Sequence, residues 1–130
     1  MRRLLRLFAV SAAACLGLVA PAQAQADYPN RPIKLVVTFP PGGSTDILAR
    51  AMQPYLEKAL GQPVVIDNRP GAGGDIGVDA IAKSAPDGYT IGIGAAGALS
   101  VNVSLKERMP YNPQKDLAPI TMLTSRAGAI

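Results

Sequence analysis

Histidine is absent from this 130-residue sequence, and its single cysteine, Cys15, lies in a segment that export would remove. Without either residue in the remainder there is no Ser-His or Cys-His nucleophile pair, no thiolate chemistry, no disulfide and no ordinary zinc site. Positive charge is also scarcer than the whole chain suggests. Residues 1–24 carry three arginines and no acid, so 13 Lys and Arg become 10 against 9 Asp and Glu, and the net charge drops from +4 to +1. No polybasic stripe survives, which argues against nucleic acid or an anionic membrane surface as partner. The four tyrosines, Tyr28, Tyr55, Tyr89 and Tyr111, are too scattered to suggest a stacking platform. After residue 24 no apolar run is long enough to span a bilayer.

The opening segment has the order of a cleavable secretory signal. A charged start, Met1-Arg2-Arg3-Leu4-Leu5-Arg6, leads into apolar residues 7–20 and then Pro21-Ala22-Gln23-Ala24, a small-x-small processing site. Cleavage is expected after Ala24, with Ala24-Gln25-Ala26 as a second register. Ala12-Ala13-Ala14-Cys15 fits a lipoprotein site poorly, because Ala12 replaces a larger aliphatic residue and the chain stays apolar beyond Cys15. The mature chain is therefore expected in the periplasm. Its 106 residues can bury one core and cannot make two full lobes.

Gly and Pro together make up 25 residues, and they fall between apolar segments as punctuation. Residues 33–39 are a β-branched run stopped by Pro40-Pro41-Gly42-Gly43, a strand and a tight turn. Ile47, Leu48, Ala51, Met52, Tyr55, Leu56, Ala59 and Leu60 recur at helical spacing up to Gly61. Ser44 is the expected N-cap, and Pro54 should weaken one turn without abolishing the helix. The pattern repeats: strand 63–67, a glycine-rich turn, helix 75–84, a turn at Pro86-Asp87-Gly88 and strand 89–94. Such alternation implies an α/β fold with a mostly parallel sheet and flanking helices. A short helix within 97–106 and a further strand over 118–124 are expected beyond it.

Ligands of parallel α/β sheets bind at the carboxyl edge of the strands, where turns lead into helix N-termini. Pro41, Gly42, Gly43, Ser44, Thr45 and Asp46 form one such turn, and Gly73 and Gly74 belong to another; both lack bulk, and both should present unpaired backbone N–H groups to an anion. Ala95 and Ala96 would complete a floor of small residues at the third strand end. Asp46 reads first as a helix-end acid paired with Arg50. Arg69 could reach an anionic ligand, pair with Asp67 or pack beneath the turn; Asp75 at the helix start and Asp79 four before Lys83 are read as ordinary helix charges rather than a catalytic pair. Gly71-Ala72-Gly73-Gly74-Asp75-Ile76 fails the dinucleotide fingerprint because Ile76 stands where the third glycine belongs. No nicotinamide or other cofactor is expected, and no catalytic residue.

Several stretches resemble the Bug (TctC) solute-binding proteins, the extracytoplasmic receptors of tripartite tricarboxylate transporters. They are Tyr28-Pro29-Asn30-Arg31-Pro32-Ile33, residues 36–46, residues 60–74, Pro86-Asp87-Gly88-Tyr89-Thr90 and Asp116-Leu117-Ala118-Pro119-Ile120. The resemblance runs from residue 27 to 124. It implies a periplasmic-binding-protein type II-like lobe, over 25–122, that closes with a second lobe on a small organic carboxylate. It also implies that Phe39 joins the turn at residues 40–46 in lining the cleft, and that residues 71–74 border it. Integral membrane components of the transporter are the implied partners of a monomeric full-length receptor, with no enzymatic activity. Relatives of that family are about twice as long or more, so residues 123–130 read as the start of a crossover to a second lobe missing from this chain. An exported domain holding a phosphate-bearing cofactor through the same turns is the rival reading.

Overall fold

The computed structural model describes residues 28–125; the expected signal segment and residues 126–130 lie outside them. Three short parallel strands form the sheet. Strand β1 (Ile33–Val37) lies between β2 (Val64–Asn68) and β3 (Thr90–Ile93), so the order is β2-β1-β3. Leu35 sits opposite Ile66 on one side and Ile91 on the other. As the central strand, β1 is enclosed on both faces, and Ile33, Leu35, Val36 and Val37 are all buried.

Helix α1 (Ser44–Leu60) packs on β1 and β2. Leu35, Val37, Ala49 and Val64 form the core there, with Leu56, Leu60 and Ile66 around them. The helix passes through Pro54 unbroken, as expected, and ends where Gly61 takes a left-handed φ of 67° and donates to the Glu57 carbonyl. Helix α2 (Asp75–Ala82) packs instead on β1 and β3. Because residues alternate across a strand, Thr38 faces opposite to Val37, and this is the side on which Gly77 of α2 lies. A methyl group on Gly77 would come within 2.7 Å of the Thr38 Cγ2 and 2.8 Å of the Arg69 carbonyl. Ile81 covers Gly92 of β3 in the same way. Moving outward from β1 in one direction and then the other puts the two helices on opposite faces, as right-handed crossovers require.

After β3 a π-helical turn (Gly97–Val101) leads into the short helix α3 (Asn102–Leu105), and α4 (Pro113–Asp116) follows. Val78, Ala98 and Tyr111 bury one another beneath them. The expected strand over 118–124 does not form: these residues pair with no strand among the described residues, and Ile120 and Met122 are nearly four-fifths exposed. A β-prone sequence without a neighbour to complete its hydrogen bonds remains irregular.

At the amino end of the sheet the segment before β1 clasps the turn before β3. Arg31 pairs with Asp87 at 2.7 Å and lies 4.1 Å from the Tyr89 ring centre. Tyr28 meets Tyr89 edge to face at 5.0 Å and donates to the Gly88 carbonyl. Two of the resemblance motifs therefore serve the fold, at the end of the sheet opposite the ligand-binding edge.

Candidate functional site

All three strands end along one edge. The Arg69 amide donates to the Val37 carbonyl, and the Thr38 amide and hydroxyl both approach the Ile93 carbonyl, at 3.3 and 3.1 Å. From this edge the chain after β1 turns toward the face of α1, whereas the chain after β3 turns toward the face of α2, where the π-helical turn packs. Strand ends whose following chains diverge in this way are where open parallel sheets hold ligands. Of the expected site residues, Phe39, Pro41, Gly42, Gly43, Ser44 and Thr45 follow the β1 end, and Ala95 and Ala96 follow the β3 end.

The first turn is tightly built. Gly42 takes a left-handed φ of 80°, and the Gly43 amide closes the turn on the Pro40 carbonyl at 3.2 Å. Gly43, not Ser44, is the N-cap: its extended backbone (φ −73°, ψ 165°) makes Ser44 the first helical residue. No side chain caps this end among the described residues. The Ile47 amide is the first to bond within the helix, to the Gly43 carbonyl, so the amides of Ser44, Thr45 and Asp46 have no intrahelical acceptor. Three donors and the positive end of a 17-residue helix thus lie just beyond the carboxyl end of β1.

Asp46 does not join them as a free ligand-contacting group. Its side chain is buried, with Oδ2 accepting from the Gly42 amide at 2.8 Å and the Arg50 Nε at 2.9 Å, and Oδ1 from the Asn68 Nδ2 at 2.9 Å. The hydrogen bond from Arg50, then those from Gly42 and Asn68, hold this carboxyl far below the ordinary range, and Asp46 correspondingly raises the Arg50 guanidinium. Asn68 also donates to the Phe39 carbonyl at 3.1 Å, tying the turn to the end of β2.

The second turn differs from expectation. Residues Ala72–Gly74 form a 3-10 turn in which the Gly74 amide donates to Gly71 and the Asp75 amide to Ala72. Those two donors are spent internally. Gly73 is exposed with φ 71°, whereas Gly74 is buried against Thr38 and Ala98 and takes a left-handed φ of 103° that favours glycine. The turn therefore borders the edge through Gly73 and packs it through Gly74.

Asp75 is the residue that sequence reasoning placed least well. Far from a surface charge, it is buried and accepts hydrogen bonds from Asn102 at 2.8 Å, from Lys106 and from Tyr111 at 3.0 Å. Burial by itself would raise its carboxyl; the bonds from Lys106, Asn102 and Tyr111 outweigh that and lower it. The Tyr111 hydroxyl also lies 2.8 Å from the Ala98 carbonyl, and burial together with Asp75 pushes its ionisation well above the usual value. This network fastens the start of α2 to the segment after β3. Asp79 makes the ion pair expected of it, with Lys83, and Arg69 pairs with Asp67. Two hollows, of about 400 and 250 Å³, lie beside Lys106, the smaller one reaching Ala72 of the second turn.

The family described as tripartite tricarboxylate transporter family receptor (TctC) matches residues 48–129. Among curated proteins the chain is 49% identical to protein BugT of Bordetella pertussis, over 95% of this chain and 37% of that one. It is 46% identical to a UPF0065 protein of Cupriavidus necator, over 82% of this chain and 33% of that one. It thus spans about a third of the length of the curated relatives it matches. Among solved structures, the periplasmic binding protein BugD superposes with a TM-score of 0.65 at 42% identity, over 68% of this chain and 29% of its own. MatC from Rhodopseudomonas palustris, solved with malate, gives 0.64 at 40% identity over 68% and 30%. A further R. palustris protein, solved with adipate, gives 0.63 at 43% over 68% and 29%.

Proposed function

The chain belongs to the tripartite tricarboxylate transporter family receptors, and from that membership we propose that it supplies the carboxylate-catching lobe of a periplasmic solute-binding receptor. The observation that carries the reading is the turn after β1. Its three uncapped amides, at Ser44, Thr45 and Asp46, follow a turn held by part-buried hydrogen bonds, which supports their facing a crevice between the β1 and β3 ends. Preorganised donors at the positive end of a helix suit a carboxylate, since little is lost in orienting them when the anion arrives.

Phe39, Pro41, Gly42 and Gly43 shape this side of the cleft, Gly73, Ala95 and Ala96 keep its floor low, and Gly74 and Asp46 support it from beneath. The opposite wall is assigned to a second lobe of the longer receptor. Closure of the two lobes would bury the anion and present the closed form to integral membrane components of the transporter, through the ligand's preference for that form. Binding and release are the whole activity; no reaction is catalysed. The same amides could hold a phosphate, but malate and adipate in two solved relatives favour a carboxylate.

Amide chemical shifts of the ¹⁵N-labelled two-lobed receptor containing this lobe, followed as malate or adipate is added, test the reading. The resonances of Ser44, Thr45 and Asp46 should move saturably. If the largest changes fall instead around Lys106 and Arg108, or none occurs, the assignment of the turn is wrong.

A further inference from the structure

Asn68 closes β2, has no role in the sheet that its side chain must fill, and yet reaches across to the first turn. We propose that Asn68 is a positioning residue of the anion site: its side-chain amide fixes the direction of the Ser44 and Thr45 donors by holding Phe39 and Asp46 at once. The inference rests on the reading of that turn as a carboxylate site.

Both hydrogens of the Asn68 Nδ2 are used, one on the Phe39 carbonyl at 3.1 Å and one on the Asp46 Oδ1 at 2.9 Å. Both partners are acceptors only, so the amide has one possible orientation, and no carboxylate of similar shape can replace it. Asp46 passes the restraint on through Oδ2 to the Gly42 amide at 2.8 Å. Phe39 and Gly42 flank the two prolines of the turn, so its entry and its tip are both fixed from β2. Without Asn68, Asp46 keeps only Gly42 and Arg50, and the Arg50 side chain is 54% exposed. Gly43 and the first helical amides would then sample several directions. The binding of an anion would have to restore one of them.

The test compares Asn68→Ala and Asn68→Asp with the unaltered protein in the malate shift titration, alongside thermal unfolding and amide exchange at Gly42. Asn68→Ala, which loses the bonds to both the Phe39 carbonyl and the charged Asp46, should weaken malate binding by about tenfold and should speed exchange at Gly42. Asn68→Asp sets a second carboxylate against Asp46. It should bind malate poorly at pH 8 and regain affinity toward pH 5, where its raised carboxyl protonates and can donate. The unaltered protein should not show this recovery. If Asn68→Ala fails to fold, the pH response of Asn68→Asp decides alone. A lowered melting temperature with unchanged malate affinity in Asn68→Ala, or no pH recovery in Asn68→Asp, overturns the inference and leaves the carboxylate site standing. No malate response at residues 44–46 in the unaltered protein overturns both.

Discussion

Replacing Gly77 by alanine is the sharpest test of how the sheet and α2 fit together. The new methyl would lie 2.8 Å from the Arg69 carbonyl and 2.7 Å from Thr38 Cγ2, where contacts nearer than 3.4 Å are already tight. Relief needs α2 to lift from the sheet by roughly 0.6 Å, because the Arg69 carbonyl is backbone and cannot rotate away. Overpacking of this kind costs ~1–3 kcal/mol, and a rigid partner places it in the upper half of that range. Alanine recovers ~1 kcal/mol of helix propensity over glycine. The net expectation is a loss of ~1–2 kcal/mol, or a melting temperature lower by ~5–15 °C for a domain of this size. Far-UV circular dichroism during heating and urea titration reads both, with the urea midpoint falling by ~0.3–2 M. Gly97→Ala is the control: nothing lies within 4 Å of the added methyl, and stability should hold within ~0.5 kcal/mol. A Gly77→Ala protein that melts at or above the unaltered temperature refutes the packing argument.

Other perturbations probe the network and the turn. Tyr111→Phe leaves the buried Ala98 carbonyl without the hydroxyl 2.8 Å away and should cost ~1–3 kcal/mol in urea unfolding; an unchanged midpoint would dismiss that bond. In a spectrophotometric titration Tyr111 should ionise well above the usual tyrosine range, and its ionisation within that range in the native protein would contradict its burial. Asp46 is held deprotonated in the folded state, so its contribution to stability is complete above the unfolded value of about 4 and fades as pH falls below it. Asp46→Asn should accordingly flatten part of the fall in melting temperature between pH 5 and pH 3, and an identical acid limb would argue against the clasp. Gly43→Val puts a side chain at the mouth of the crevice, 3.3 Å from the Pro40 carbonyl. It should abolish the malate-induced shifts at Ser44 and Thr45 with a modest change in melting temperature.

The alternation of strand and helix from Ile33 to Ile93 was readable because each element carries its own period and each boundary its own Gly or Pro. The landmarks of the family were readable as motifs, although Tyr28 to Arg31 and Asp87 to Tyr89 prove to hold each other. The tyrosines looked scattered because sequence distance hides such a meeting. What stayed hidden depends on partners far along the chain. Asp75 looks like a helix-end acid until Asn102, Lys106 and Tyr111, 27 to 36 residues later, converge on it. Asp46 was paired correctly with Arg50 at helical spacing, but Asn68, 22 residues on, has no local pattern that announces it. Ser44 looked the better cap because serine side chains often serve there. The turn instead places Gly43 in the extended conformation one residue earlier and leaves the helix end open. The apolar run at Ile120 to Leu123 had the composition of a strand, and composition cannot supply a neighbour.

The central claim is that the turn after β1 catches a carboxylate with its backbone. A crystal structure of the receptor containing this lobe, grown with malate, tests it most directly. A carboxylate should lie with its oxygens about 3 Å from the amide nitrogens of Ser44 and Thr45, with Asn68 still bridging Phe39 and Asp46. A carboxylate bound away from the β1 and β3 ends, for instance beside Lys106 and Arg108, would contradict it.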